Sequence, residues 1–199
     1  MPIFGNQNPS NQGMVVTRIR AGIFACPEAG IAQSITAYIE CGGVGVANFK
    51  AALYTYPERT LVAITEELLN IAQGVQWRTF NFPGSKPALT NRQYILAIWA
   101  DTSSSDVYFN DGVVGAVSGY TIPSQVYPDF PSYLNGSYIE RADRITCIYC
   151  TYERMGKNLT IQSSPNSVPV NVDNILIGNT PQIVALQEGT HIVEVPNVV

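Results

Sequence analysis

Short runs of apolar, β-branched and aromatic residues alternate with turn-forming residues along the whole chain, which is the pattern of β-strands. In the first three quarters of the chain, strand-sized runs occupy 15–26, 32–41, 47–56, 61–71, 75–82, 94–101, 107–110 and 145–152. The breakers between them, rich in Gly, Pro and Asp, occupy 27–30, 41–43, 56–58, 73–74, 82–84 and 111–112. Turn signals at a spacing of about 8–12 residues predict a β-sandwich or a β-barrel.

One run fits two kinds of element. Residues 61–72 read LVAITEELLNIA and carry apolar or β-branched residues at helical spacing, namely Leu61, Thr65, Leu68 and Leu69. This spacing allows a helix. A lone helix fits poorly into so regular a series of strands, so we predict a strand here.

The C-terminal residues repeat the strand-and-turn pattern on a smaller scale. Runs at 159–162, 168–172, 183–186 and 191–195 alternate with turn clusters at 163–165, 173–174, 178–181 and 188–189. This part resembles a PEGA module, on the strength of Ser164-Pro165, Val172-Asp173, Gly178, Thr180-Pro181 and Gly189-Thr190-His191. The resemblance implies a small β-domain of surface-exposed proteins that serves display, spacing or assembly. A PEGA module normally continues with a strand beyond Val195, so we expect a version that is either trimmed or completed by a neighbouring subunit.

A second resemblance covers residues 3–153. Its ordered blocks are IFGNQNP, RIRAGIFACPEAGIAQSITAYIE, ANFKAALYTYPERTLVAITEE, VQWRTFNFP, YILAIWADTSSSDVYFNDG and ITCIYCTY. They resemble jelly-roll β-sandwiches similar to carbohydrate-binding modules, which are common in virion-associated and in archaeal and thermophile surface proteins. We therefore predict an all-β chain with a jelly-roll-like β-sandwich over 1–155 and a PEGA-like β-module over 156–199.

Charge and composition narrow the classes of function. Charged residues make up 13% of the chain, about half the usual share of ~25%, which suits a subunit that buries much of its surface in an assembly. The net charge is −4 and the sequence contains no Lys/Arg cluster, so nucleic acid is not an expected partner. No stretch approaches the ~20 apolar residues of a membrane-spanning helix. The N-terminal residues lack the features of a signal peptide, which favours a virion component over a secreted pilus.

Catalysis is not expected. A Ser-His-Asp or Cys-His site needs a histidine as proton carrier, and His191 is the only one in the sequence. We expect no cofactor other than calcium. Asp101, Asp106 and Asp111 supply hard oxygen ligands that suit calcium, although Asn110, Asp111 and Gly112 equally suit an ordinary hairpin turn.

The aromatic-rich segment 119–142 is long for a loop and is stiffened by three prolines. Its candidate contact residues are Tyr120, Tyr127, Phe130 and Tyr133. Three interpretations stay open: a contact with another subunit, a surface for a ligand, or a cover for the open end of the sandwich.

The four cysteines allow up to two disulfides. Cys147 and Cys150 would point to opposite faces of one strand, which does not suit a shared zinc ion. We expect buried thiols or a disulfide, with Cys26–Cys150 as the first pairing to consider. The uncharged arm at 2–13 can either pair with a neighbour's sheet or fold on its own domain.

The sequence therefore predicts a non-enzymatic structural protein that assembles in repeated copies on a virion surface or outside the cell. Decoration, capsid or tail components of a virion and subunits of an extracellular filament all fit. Its partners would be copies of itself or other structural subunits. The alternative is a glycan-binding adhesion module, for which surface glycans would be the partners.

Overall fold

Every regular element in the described part of the chain is a β-strand in the computed structural model. The structure describes residues 1–16, 18–102, 104–121, 126–134, 138–164, 167–186 and 190–195. It describes only the backbone of residues 43–45, 121, 157–158 and 185. The strands form a large antiparallel sheet and two small ones, which confirms the predicted all-β sandwich class. None of these residues belongs to a helix long and apolar enough to cross a bilayer.

The chain divides into two units, Met1–Glu153 and Arg154–Val199. Within the described residues, the first contains thirteen antiparallel strands. They are β1 Ile3–Gly5, β2 Gln12–Val15, β3 Ile19–Ala25, β4 Gly30–Thr55, β5 Leu61–Ile64, β6 Leu68–Asn81, β7 Ala88–Leu89, β8 Gln93–Ala100, β9 Ser105–Asp111, β10 Val117–Thr121, β11 Ile139–Ala142, β12 Arg144–Thr146 and β13 Ile148–Arg154.

Strand β4 is long because it belongs to two parts of the sheet. Its first half pairs with the end of β6, from Ser34 opposite Asn81 to Cys41 opposite Gly74. Its second half pairs with β8, from Phe49 opposite Ala100 onward. The breakers at 42–43 and 73–74 were expected to end strands, but β4 and β6 continue past both places, and their pairing resumes at Val46 opposite Ala72. A register shift after Cys41 and a positive φ of 119° at Gly74 absorb the irregularity as a bulge does.

The ambiguous run 61–72 is extended, as predicted. Strand β5 covers its start and β6 its end, and Thr65 lies in the break between them. The Thr65 hydroxyl accepts a hydrogen bond from the Ala51 amide at 3.0 Å and lies 3.0 Å from the Ala51 carbonyl oxygen. The Thr65 backbone amide also donates to the Ala51 carbonyl oxygen at 2.9 Å, so the backbone and the side chain of Thr65 together bond to β4, with no helical bond at this residue.

Two apolar clusters form the core of the first unit. The larger one joins residues such as Ile35, Ile39 and Leu53 between the layers of the sandwich. The second lies on the other face of β8 and β4, where the segment that follows β10 covers it with Phe130 and other residues. Because both faces of β8 are covered, it reads as a continuous apolar run, and every residue after Gln93 is buried.

The N-terminal arm folds on its own unit. Strand β1 pairs with β13, where Phe4 lies opposite Cys150, and β2 pairs with β9. A Cβ placed at Gly5, whose φ is 127°, would lie 2.4 Å from the Tyr149 Cα, so this close approach requires glycine. The structure therefore has the arm folded on its own domain, which is one of the two arrangements that the sequence allowed.

The second unit consists of two small antiparallel sheets. Its strands are β14 Lys157–Ile161, β15 Pro169–Val172, β16 Ile175–Asn179, β17 Gln182–Leu186 and β18 Val193–Glu194. Asp173 and Asn174 both have positive φ, 51° and 66°, and join β15 to β16 as the two-residue turn that matches strand twist. The core of the unit is small and comprises Ile161, Val170 and Val172 with a few half-buried neighbours.

Candidate functional site

The three carboxylates considered for calcium have separate surroundings. The two carboxylate oxygens of Asp101 accept hydrogen bonds from the backbone amide and the side-chain amide of Asn48, at 3.0 and 2.8 Å. Asp111 forms an ion pair with Arg144 at 2.7 Å. Both are therefore used in contacts between strands.

Asp106 lies on β9, five residues before Asp111, which places the two about 17 Å apart along the strand. Burial raises the pKa of the Asp106 carboxyl, and Glu40 raises it further, while Arg20 acts in the opposite direction. The structure thus does not bring Asp106 and Asp111 together. In the part of the chain described, no group of three or more His, Cys, Asp or Glu residues is arranged to hold a metal ion.

Cys26 and Cys150 are both buried as thiols in the large core. Burial raises the pKa of the Cys150 thiol, and the proximity of Cys26 raises it further. The Cys26 thiol donates a hydrogen bond to the Glu28 carbonyl oxygen at 3.1 Å. The two residues are thus neighbours across the core, and the structure has them unbridged.

The aromatic residues of 119–142 do not form one surface. Phe130 is buried, with its ring centroid 5.6 Å from that of Trp99. Tyr127 packs edge-on against the same tryptophan at 5.5 Å, and its hydroxyl donates to Glu67 at 2.7 Å. Tyr133 is 52% exposed. Tyr120 lies apart from these three, on β10, in a different environment.

Tyr120 belongs to a pocket of about 420 Å³ that we call the arginine pocket. The described residues that line it are Met14, Arg18, Arg20, Ser118, Gly119, Tyr120, Arg141 and Arg144. Four of these eight residues carry a positive charge and none carries a negative one. The pocket therefore combines cations with one aromatic ring.

The antiparallel register brings these residues together from distant parts of the chain. Tyr120 on β10 lies directly opposite Arg20 on β3, and Ser118, two residues before it, lies opposite Arg141 on β11. Alternate residues of a strand share a face, so Arg20, Tyr120 and Arg141 project on the same side. Arg18 precedes β3, and Arg144 begins β12.

The Tyr120 ring holds three of the guanidinium groups. The central carbons of the Arg20, Arg18 and Arg141 guanidinium groups lie 4.8, 5.5 and 5.9 Å from its centroid, within the range of cation–π attraction. Arg144 is fixed separately, by Asp111 and by stacking 3.9 Å from the centroid of the Phe109 ring.

The charges of the pocket are unevenly compensated. Nε of Arg20 donates to the Val15 carbonyl oxygen at 2.9 Å, and its pKa is lowered, first by burial and then by Arg18 and Arg144. Among the residues that the structure describes, neither Arg18 nor Arg141 has a carboxylate partner. The arrangement is thus suited to an anionic group placed between these side chains.

The pocket was not predicted, because its arginines lie at 18, 20, 141 and 144 and form no run in the sequence. One signal was available: Arg18 and Arg20 are two residues apart within the predicted strand 15–26, which places both on one face. No protein-family model matches the chain, and no curated protein matches it significantly.

Proposed function

We propose that the protein is a non-enzymatic structural component that assembles in repeated copies, as a virion decoration, capsid or tail component or as a subunit of an extracellular filament. The observation that carries this proposal is the set of exposed apolar residues of the second unit, which includes Ile175 and Leu176 on β16, Ile183 on β17 and Ile192. Their side chains are 59–68% exposed.

The second unit exposes more large apolar residues than it buries. Among its described residues, the exposed ones are Met155, Leu159, Ile175, Leu176, Ile183, Ile192, Val193 and Val195, and the buried ones are Ile161, Val168, Val170 and Val172. So small a core gives marginal stability on its own. Exposed apolar patches mark interaction sites, and full burial of each isoleucine or leucine is worth about 1.5–3 kcal/mol. Contact with another copy would supply that burial.

Strand β16 gives this contact a direction. It is the outer strand of its sheet in the described part of the chain, with order β16-β15-β18, and its sequence, ILIGN, contains no charge. Natural proteins usually protect such edges with charged residues or proline, because an open edge pairs with another strand. We propose that β16 pairs with a strand of a second copy, so that backbone hydrogen bonds and burial of exposed apolar residues act together.

The position of the only histidine supports a structural role for this residue. Its Nδ1 lies 2.7 Å from Oδ2 of Asp173, and Oδ1 of the same aspartate accepts a hydrogen bond from the Ile192 amide at 2.9 Å. His191 therefore joins the segment before β18 to the turn between β15 and β16.

We propose further that the first unit is jelly-roll-like, similar to carbohydrate-binding modules, and that the second is PEGA-like. The two-residue turn at Asp173 and Asn174 and the strands on either side of it support the second assignment. A surface-exposed location, on a virion or outside the cell, follows from the same proposal.

The experiment is negative-stain microscopy with light scattering on the full chain and on Ile175→Lys. We expect ordered assemblies of the wild-type chain at micromolar concentration, and monomers or small oligomers of the variant, because a charge at the open edge opposes pairing. Val114→Lys is the matched control, since Val114 is 92% exposed in the first unit; it should assemble like the wild type. A wild-type chain that stays monomeric, or equal loss in both variants, would refute the proposal.

A second candidate function, a glycan-binding adhesion module, is favoured by the arginine pocket. Its volume of about 420 Å³ lies within the range of small-ligand sites, about 300–1,000 Å³. A binding module should remain monomeric or a small oligomer in the same experiment, which distinguishes the two candidates.

A further inference from the structure

Positive charge is concentrated at one place on a protein that is acidic elsewhere. The chain has 11 Lys and Arg residues against 15 Asp and Glu residues, and four of the 11 line the arginine pocket. Such a concentration in a concave site raises the local positive potential and attracts anions.

Contacts within the protein fix several of the arginines of the pocket. Arg144 is fixed by Asp111 and by the Phe109 ring, and Arg20 is fixed by the Val15 carbonyl oxygen. The Tyr120 ring positions the remaining guanidinium groups. A site with groups fixed in advance loses less conformational entropy on binding.

Like charges held this close oppose one another, and the surrounding carboxylates offset them only in part. Asp111 compensates Arg144, and Asp106 acts on Arg20 through space. Arg18 and Arg141 have no carboxylate partner among the described residues. A guanidinium group offers its N–H donors in the fork geometry that binds carboxylate, sulfate or phosphate in pairs of hydrogen bonds.

We propose that the arginine pocket binds a compact ligand with two or more oxyanion groups, of carboxylate, sulfate or phosphate type, on a frame about the size of one or two sugar rings. Arg18 and Arg141 each bind one anionic group, while Arg20 and Arg144 supply the field between them. The volume sets the size of the frame. This inference does not depend on pairing through β16, and the two proposals fail separately.

The observations favour a small oxyanion ligand over a nucleic acid. Duplex binding neutralises several phosphates along a stripe of basic residues, whereas the four clustered arginines here line a single pocket. Base stacking needs an open aromatic face, and three arginines already approach the Tyr120 ring.

The test is isothermal titration calorimetry of the full chain with three probes: a sulfated disaccharide, inorganic pyrophosphate and a neutral disaccharide. We expect one or both anionic probes to bind, more weakly as salt rises, and the neutral disaccharide not to bind. Binding of the sulfated disaccharide alone identifies an acidic glycan as the source of the oxyanions. Binding of pyrophosphate identifies a phosphorylated ligand.

The variants are Arg141→Gln, Arg141→Lys and Lys50→Gln. Arg141 is exposed and forms no ion pair in the described structure, so its replacement should leave the fold intact. We expect about tenfold weaker binding for Arg141→Gln and partial recovery for Arg141→Lys, which keeps the charge without the fork. Lys50→Gln removes one positive charge outside the pocket lining and should bind like the wild type.

Failure of both anionic probes to bind would overturn the inference. Equal weakening by Arg141→Gln and Lys50→Gln would also overturn it, because the attraction would then be a general effect of charge. Binding of double-stranded DNA in preference to both anionic probes would contradict the assignment to a compact ligand.

Discussion

Phe130 lies in the segment that covers the second core of the sandwich, and its replacement by alanine tests that packing. The side chain is 6% exposed, and the centroid of its ring lies 5.6 Å from that of Trp99 and 6.4 Å from that of Tyr54. The Tyr54 hydroxyl also donates to the Pro131 carbonyl oxygen at 3.0 Å, beneath the same segment. The phenyl ring therefore fills a space that neighbouring side chains cannot fill without moving.

Truncation of a buried phenylalanine to alanine costs about 3–5 kcal/mol. With a dependence of about 2 kcal/mol per molar urea, Phe130→Ala should lower the unfolding midpoint by about 2 M. The assay is urea unfolding followed by tryptophan fluorescence. Trp77 and Trp99 both lie in the first unit, so the signal reports that unit alone.

Tyr133→Ala is the control, because Tyr133 lies in the same segment but is 52% exposed. We expect it to change the free energy of unfolding by less than about 0.5 kcal/mol. If Phe130→Ala changed it by as little as the control, the segment would not be a structural cover for the core. The segment would then be interpreted as a contact surface for a ligand or for another subunit.

Three further predictions concern charge and thiols. The hydrogen bond from His191 lowers the pKa of the Asp173 carboxyl. The stability that this carboxylate contributes is therefore present above the ordinary aspartate pKa and is lost as pH falls through the lowered pKa. Asp173→Asn should reduce the acid sensitivity of the second unit, measured by circular dichroism between pH 2 and 6. Burial raises the pKa of the Cys147 thiol to about 12, and burial raises the pKa of the Cys150 thiol as well. Both thiols should therefore react with a thiol reagent at pH 8 only after unfolding. Arg141→Gln should keep or slightly raise the melting temperature at low salt, because it removes the repulsion between Arg141 and the other arginines of the pocket. A clear fall in the melting temperature would contradict this account of the pocket.

The strands were largely predictable, because their alternation and turns are local properties of the sequence. The turn at Asp173 and Asn174 is an example, since both residue types tolerate positive φ. The continuity of β4 was not predictable in the same way. Glycine at 42–43 normally ends a strand, but here Gly74 of the partner strand adopts a positive φ, and the pairing resumes at Val46 opposite Ala72. Whether two breakers face each other depends on tertiary register.

The candidate sites depended on tertiary register even more. The sequence grouped Tyr120 with Tyr127 and Phe130 because they are close in the chain, whereas the structure places Tyr120 with Arg20 and Arg141 through cross-strand pairing. Tyr120 lies 100 residues from Arg20 and 21 residues from Arg141 in the chain, and such cross-strand neighbours leave no local signal.

The most direct test of the central claim is the mass of the wild-type chain in solution, measured by light scattering from micromolar to submillimolar concentration. Assembly in repeated copies predicts a mass that rises with concentration well beyond the monomer mass of 21.7 kDa. A mass that stays at the monomer value over the whole range would contradict it.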